Sequence, residues 1–185
     1  GGASQVNRQE QTGLYVQDQA EWNNWVLTMG GRYDWSDTNS TNRLSQNAVS
    51  KQKDNEFTGR AGLNYVFENG IAPYVSYSES FEPTSGTDFS GNTFAASKGK
   101  QYEAGVKFAP KDRPITASIA IYQLTKTNNK VADPDPDHSF ASVLGGEIRS
   151  RGVELEGKAA LTANVNLLGS YTYTDAEYTK DTTLQ

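Results

Sequence analysis

Hydrophobic and polar residues alternate along most of the chain with a period of two. In the clearest stretch, Val165, Leu167 and Tyr171 lie on one face. Ser170 and Thr172 lie on the other face. This period is typical of β-strands whose two faces meet different surroundings, and no helical period competes with it. The pattern recurs in eight segments: residues 11–21, 25–35, 57–67, 71–81, 102–108, 115–127, 153–159 and 164–174. Strands of about ten residues are long enough to cross a bilayer at a tilt.

The connections between these segments alternate between short and long. The short connections cover residues 22–24, 68–70, 110–114 and 160–163, and the long ones cover residues 36–55, 82–97 and 128–145. Asn-Gly and proline-bracketed turns supply the backbone angles that tight reversals need. A strict alternation places every short turn at one end of the sheet, as in outer-membrane barrels. We therefore predict an all-β, antiparallel, up-and-down transmembrane β-barrel segment that forms a single domain.

Composition and charge exclude several other classes of protein. The chain has 17 Lys and Arg residues against 22 Asp and Glu residues, a formal net charge of −5, which argues against a nucleic-acid surface. It has no cysteine and one histidine, which excludes disulfide scaffolds, cysteine nucleophiles and multi-histidine metal sites. No run of about 18 apolar residues exists, so a transmembrane helix is excluded.

Charged residues occur in the middle of several predicted strands, opposite the apolar positions. Arg60, Glu103, Lys107, Glu154 and Lys158 are examples. In a barrel they would face an aqueous or protein-filled lumen, while the aliphatic side contacts lipid. In a soluble β-sandwich they would form the solvated face, so alternation alone leaves both architectures open. Tryptophans and tyrosines near the strand ends favour the membrane, where they form interfacial girdles.

Seven motifs follow one another in the order found in a known family. They are QTGLYVQDQ at 11–19, GGRYD at 30–34, PYVSYSESFEP at 73–83, KGKQYEAGVK at 98–107, LTKTNN at 124–129, RGVELE at 151–156 and YTYTDAEY at 171–178. Together they cover nearly the whole chain. The chain resembles the TonB-dependent siderophore receptors of the bacterial outer membrane, above all those for ferrichrome-like hydroxamate siderophores.

The resemblance implies a barrel of about 22 strands, closed by a plug and energised by the TonB complex. We expect this chain to be an interior portion of about eight strands, with the plug absent from it. The expected partners are a ferric hydroxamate siderophore, TonB through that plug, outer-membrane lipid, and phages or toxins at the long loops, but no nucleic acid. The siderophore would hold the iron, so neither a cofactor nor enzymatic activity is expected.

The resemblance also assigns roles to particular residues. Glu103 and Glu154 match lumenal glutamates that pair with plug arginines in this family. We expect them to hold the plug by charge-assisted contacts. Aromatic residues of the barrel contact the siderophore in this family, and the candidates here are Phe81, Phe89, Phe94, Phe140 and Tyr122.

Three alternatives remain open from the residues alone. His138 follows alternating aspartates at 133, 135 and 137, which could ligate calcium, although a solvated extracellular loop is the simpler interpretation. The chain could be a small structural or adhesive outer-membrane barrel of eight strands, without transport. It could also be a soluble β-sandwich binding module. Eight strands cut from a wider barrel would leave two open edges, unless they close on themselves.

Overall fold

The chain folds into one antiparallel sheet of eight strands, arranged in their sequence order. A computed structural model describes residues 5–42 and 48–180. The strands are β1 (Gln5–Trp22), β2 (Trp25–Asn42), β3 (Ala48–Tyr65), β4 (Ile71–Glu82), β5 (Ser97–Phe108), β6 (Ile115–Ala132), β7 (Ser142–Thr162) and β8 (Val165–Lys180). Within these described ranges, one 3₁₀ turn spans Pro136–His138. The predicted all-β, up-and-down meander is confirmed.

The strand register separates the side chains into two faces. Ile119 of β6 lies opposite Val106 of β5 and Leu155 of β7. We call the side of the sheet that carries these residues the apolar face. On the other side, which we call the polar face, Glu103 of β5 lies opposite Ser76 and Tyr122. Because partners across a ladder point to the same side, the alternation within each strand becomes two continuous surfaces.

The apolar face has no protein layer against it within residues 5–42 and 48–180. Its exposed large side chains include Leu14, Val16, Leu27, Met29, Phe57, Leu63, Val75, Val106, Ile119, Ile121, Leu155, Val165 and Leu167. A β-sandwich would bury such residues between two sheets, but the described strands form one sheet only. The soluble β-sandwich alternative is therefore wrong. A continuous aliphatic surface of this extent needs an apolar solvent.

The height of the apolar face fits a lipid bilayer. On β2 it runs from Trp25 to Trp35, about ten residue steps or roughly 33 Å of strand. A tilt of about 40–45° reduces that length to roughly 25 Å, the height of the apolar band of outer-membrane barrels. Aromatic pairs lie at both ends: Trp25 with Tyr65 at 4.9 Å between ring centroids, and Tyr33 with Trp35 at 4.7 Å. These pairs form the two interfacial girdles.

The connections are sorted by length between the two ends of the sheet. Residues 23–24, 66–70, 109–114 and 163–164 make the short turns at one end. Asn23 and Gly70 take positive φ values of 51° and 83° there, as tight reversals require. The other end carries the connections 83–96 and 133–141, which we call the long-loop end. The predicted sorting is confirmed for these connections; residues 43–47 lie outside the described residues.

The prediction of a long loop over residues 36–55 is wrong for most of that range. β2 continues to Asn42 and β3 begins at Ala48, and the ladder pairs them throughout. The side chains that alternate here on the polar face are small and polar, and Ser36 and Thr38 are buried. Residues 36–55 therefore show no alternation of hydrophobic and polar residues, although their described backbone is extended. The sequence pattern could not identify them as strands for this reason. β6 likewise extends into the predicted loop 128–145, as far as Ala132.

The two outer strands are open edges in this structure. Within the described residues β1 pairs with β2 alone and β8 pairs with β7 alone, so the eight strands do not close into a small barrel. The described part of the chain also contains no helix long and apolar enough to cross a membrane.

Candidate functional site

Two carboxylates on the polar face form the centre of the candidate site. Glu103 lies on β5 and Glu154 on β7, two strands away. The register places Glu154 one row closer to the short turns, opposite Ala120 and, through it, Gly105. The spacing between strands and between rows puts their Cα atoms about 12 Å apart. Two separate cationic groups, rather than one shared group, would match this separation.

The surroundings of Glu103 orient its carboxylate without neutralising it. The Tyr74 hydroxyl donates a hydrogen bond of 2.6 Å to its Oε1, and the Gln101 amide donates one of 3.0 Å to its Oε2. The nearby Lys107 lies instead over the Tyr74 ring, 4.7 Å from the centroid. Among the described residues, neither Glu103 nor Glu154 forms an ion pair within 4.0 Å. Within the described residues, both acids are half-buried and neither has a cationic partner.

The polar face carries basic groups on β2 and β3. Arg32 makes a two-pronged ion pair with the buried Asp34, with both nitrogen–oxygen distances at 2.7 Å. The Gln11 amide donates a third hydrogen bond, of 3.0 Å, to Asp34. Arg60 of β3 donates to the side-chain oxygen of Gln17. The charge of Arg32 is thus internally balanced, unlike the charges of the glutamates on β5 and β7.

Two of the predicted ligand-contacting aromatics lie on opposite faces of the sheet. Tyr122 lies on the polar face, where its hydroxyl is 2.7 Å from Thr174 Oγ1. Its ring covers Gly152 on the neighbouring strand, so that a Cβ at that glycine would come within 2.7 Å of the ring. Phe81 is half-buried near the upper end of β4, opposite Lys98 and on the apolar side. Tyr122 is the better placed of the two to meet a molecule in the lumen.

Phe94 anchors the loop 83–96 and is almost completely buried, with 3% of its surface exposed. The Gln52 amide of β3 donates a hydrogen bond of 2.6 Å to the Phe94 carbonyl oxygen. Lys130 of β6 lies 5.1 Å from the ring centroid and also donates to the Ser85 carbonyl oxygen, at 3.3 Å. Gln52 and Lys130 thus fix this loop, a role that their isolated positions in the sequence do not reveal. Ligand contact by Phe94 stays a prediction.

The second long loop, 133–141, meets the first through a stacked pair. Phe89 and His138 stack with 3.6 Å between ring centroids. The Nδ1 atom of His138 lies 3.2 Å from an Asp133 carboxylate oxygen. No cluster of three or more potential metal ligands occurs in the described ranges, and these aspartates are engaged within the loop. Phe140 is fully exposed, at 104% of its reference surface, so it lies open to solvent at the long-loop end.

A single sheet with a lipid-facing side, a charged inner side and loops sorted by length defines a segment of an outer-membrane β-barrel. The family model for the TonB dependent receptor-like β-barrel matches residues 1–185. The chain belongs to this family, and the bacterial outer membrane is its location.

Two curated relatives illustrate the similarity. The chain is 62% identical over 178 residues to the ferrichrome outer membrane transporter/phage receptor of Escherichia coli K12, covering 96% of this chain and 23% of that protein. It is 44% identical over 170 residues to the ferrioxamine B receptor of Salmonella typhimurium, covering 92% of this chain and 24% of the relative. The chain therefore spans about a quarter of the length of these relatives.

A solved structure shows the same arrangement of strands. The alcaligin outer-membrane receptor FauA from Bordetella pertussis superposes with a TM-score of 0.77 at 25% identity. The match covers 96% of this chain and 32% of that receptor. Homologous strands in this family thus form part of a wider wall.

Proposed function

We propose that the receptor containing this chain takes up ferric siderophores of the ferrichrome-like hydroxamate class, energised through TonB. The main structural support is that one side of the sheet faces lipid, while the other side carries acids without cationic partners. The Escherichia coli relative, a ferrichrome transporter, and the Salmonella typhimurium relative, a ferrioxamine B receptor, support the ligand class. The siderophore supplies every ligand to the iron and undergoes no chemistry here, so the receptor needs neither a cofactor nor a catalytic residue.

In this proposal the chain is the wall against which a plug domain is held. Glu103 and Glu154 pair with basic groups of the plug, in contacts stronger than neutral hydrogen bonds. A half-buried carboxylate without a counterion is unfavourable, so the plug stabilises the wall and the wall positions the plug. TonB then acts on the plug rather than on this chain.

Uptake of radiolabelled ferric ferrichrome tests the ligand class. The full-length receptor is expressed in cells that lack their own hydroxamate receptors, with and without the TonB protein. We expect uptake that requires both the receptor and TonB. Transport of a catecholate siderophore but not of ferrichrome would contradict the assigned class.

The contact with the plug is tested by neutralising both acids. In the full-length receptor, Glu103→Gln combined with Glu154→Gln should weaken plug retention, because two charge-assisted contacts of about 1.5–3 kcal/mol each are lost. Glu156→Gln is the matched control, since Glu156 shares the polar face with Glu154 two residues along β7. Protease accessibility of the plug in whole cells is the measurement. Unchanged plug accessibility and unchanged uptake in the double variant would refute this role.

We also propose that the long-loop end binds phage or toxin proteins. The Escherichia coli relative is named as a phage receptor, and the exposed Phe140 supplies an apolar anchor of the kind that dominates protein interfaces. Phe140→Ala should lower phage adsorption by a larger factor than siderophore uptake, because Phe140 is fully exposed at the long-loop end. Equal loss of both activities would indicate misfolding of the loop instead.

A further inference from the structure

Tyr74 reaches across the polar face of the sheet to an acid on the neighbouring strand. It lies on β4, directly opposite Gly105 of β5. Its ring covers that glycine, where an added Cβ would come within 2.7 Å of the ring. The hydroxyl donates its hydrogen bond of 2.6 Å to Oε1 of Glu103, two residues further along β5. The missing side chain at Gly105 thus leaves the space through which Tyr74 reaches this carboxylate.

Each oxygen of the Glu103 carboxylate is held by a separate donor. Tyr74 bonds Oε1, and the Gln101 amide donates a hydrogen bond of 3.0 Å to Oε2. A carboxylate has about four acceptor positions, so both oxygens can still accept a further hydrogen bond. A guanidinium group offers two parallel N–H bonds to such a pair of oxygens, whereas an ammonium group has no planar fork. The oriented carboxylate therefore suits an arginine better than a lysine.

The ring of Tyr74 also has a cationic partner of its own. The Lys107 Nζ atom lies 4.7 Å from the ring centroid, within cation–π distance. Within residues 5–42 and 48–180, no Lys or Arg nitrogen lies within 4.0 Å of the Glu103 carboxylate. Tyr74 thus contacts the lysine through its ring and the acid through its hydroxyl, and the two charged groups stay apart.

Tyr77, three residues along the same strand, makes a similar hydrogen bond on the other face. Its hydroxyl donates a hydrogen bond of 2.7 Å to Oε1 of Glu79. Because side chains alternate along a strand, Tyr77 lies on the apolar face and not in the lumen. Glu79 has a cation within the chain, since Lys100 Nζ lies 3.8 Å from its carboxylate. The two tyrosines therefore differ in whether the acid that they orient faces the lumen.

We propose that Tyr74 is a positioning residue of the plug contact, whose hydroxyl holds the Glu103 carboxylate ready to receive a guanidinium group of the plug. The proposal rests on the plug contact proposed above and adds a residue that acts through Glu103. A carboxylate that rotates freely loses conformational freedom when it pairs, so orienting it beforehand makes the pairing more favourable. Removal of the Tyr74 hydroxyl leaves the charge of Glu103 in place but releases its orientation.

The first test removes one hydroxyl at a time from the full-length receptor. The measurement is the rate at which a protease cleaves the plug of receptor in isolated outer membranes, and heat-modifiable migration reports whether the barrel has assembled. Tyr74→Phe keeps the ring and should raise this rate about fivefold, the effect of one lost hydrogen bond. Tyr77→Phe is the matched control on the same strand and should change the rate less than about twofold. Equal rates in the two variants would overturn the proposal.

A double-mutant cycle tests whether Tyr74 acts through Glu103. Glu103→Gln alone should raise the cleavage rate about tenfold, because it removes a charge-assisted contact. Tyr74→Phe should add less than about 1.5-fold in the Glu103→Gln background, because the charge that it positions is already absent. A hydroxyl that merely supports the structure of the wall would raise the rate by the same factor in both backgrounds, and that result would overturn the proposal.

The same cycle separates this proposal from the plug contact on which it rests. An unchanged rate in Glu103→Gln would contradict both the contact at Glu103 and the role of Tyr74. A raised rate in Glu103→Gln together with an unchanged rate in Tyr74→Phe would overturn the role of Tyr74 alone. The ligand class is tested independently by ferrichrome uptake, so neither result decides it.

Discussion

The opposite environments of the two faces can be tested at adjacent residues of β6. Ile119 lies on the apolar face near the middle of the membrane band, between Val106 and Leu155. Ser118 is its neighbour on the polar face, between Lys107 and Glu156. Arginine at either position adds the same side chain to the same strand. Only the surroundings of the two arginines differ, so the pair isolates the effect of the face.

The expected cost of Ile119→Arg follows from its place in the bilayer. Ile119 exposes 47% of its surface on the apolar face. That is about 80 Å² of apolar area, whose loss from hydrocarbon costs about 2 kcal/mol at 25 cal/mol per Å². An arginine near the midplane of a barrel costs about 2–4 kcal/mol more. We expect Ile119→Arg to destabilise the inserted receptor by roughly 4–6 kcal/mol, and Ser118→Arg by less than about 1 kcal/mol, because Glu156 can pair with it.

The measurement is the fraction of full-length receptor that assembles in the outer membrane, followed by denaturant unfolding of the assembled protein. Ile119→Arg should deplete the assembled form, whereas Ser118→Arg should assemble normally. Equal behaviour of the two variants would refute the partition of the faces. A larger defect for Ser118→Arg would place hydrocarbon on the polar side and reverse the orientation of the sheet.

Three further predictions concern the loops and the lumen. The backbone and side-chain amides of Asn92 donate to Asp88 and lower the pKa of that carboxyl below its ordinary value of 3.8. A lowered pKa means that the turn is stabilised at neutral pH and loosens as the pH falls below 3.8 through the shifted pKa. Amide exchange at Asn92 should show this step, and Asp88→Asn should abolish it. Phe94→Ala should open the loop 83–96 at a cost of about 3 kcal/mol, detected by limited proteolysis of intact cells, whereas an unaltered cleavage rate would contradict its anchoring role. Gly152→Ala would place a Cβ 2.4 Å from the Tyr173 carbonyl oxygen of β8 and 2.7 Å from the Tyr122 ring, so it should loosen the β7–β8 pairing and displace that ring. Faster amide exchange along β8 and stronger iodination of Tyr122 are the measurements, and no change in either would contradict the close contacts.

The membrane-spanning part of the fold could be predicted from the sequence because one physical constraint acts on every strand there. Lipid on one side and a polar lumen on the other force strict alternation, as Ile119 and Ile121 show against Ser118 and Tyr122. Outside the bilayer, the strands no longer have lipid on one side, so strict alternation of hydrophobic and polar residues is no longer required. The paired extensions of β2 and β3 are held by backbone hydrogen bonds and small polar side chains, so hydrophobicity could not distinguish them from a loop.

The candidate site was predictable only in part, because periodicity orders residues within a strand and not between strands. It indicates that Glu103 and Glu154 each oppose the apolar side of their own strand. The distance between the two acids depends on the register of β5, β6 and β7, which local sequence does not encode. The burial of Phe94 likewise depends on a contact with Gln52, which lies far away in the sequence.

The distribution of charge on the polar face constrains what can fill the lumen. On β1 to β3 the buried Asp34 and its partner Arg32 neutralise each other, and that part of the wall can face water or neutral groups. On β5 and β7 the half-buried acids Glu103 and Glu154 have no cationic partner among the described residues, and Glu103 accepts hydrogen bonds from Tyr74 and Gln101. On the proposed plug contact, a lumen-filling domain would gain free energy by presenting basic side chains towards β5 and β7, about 12 Å apart. The proposal therefore predicts one favoured rotational setting of that domain, because turning it would separate its basic side chains from Glu103 and Glu154.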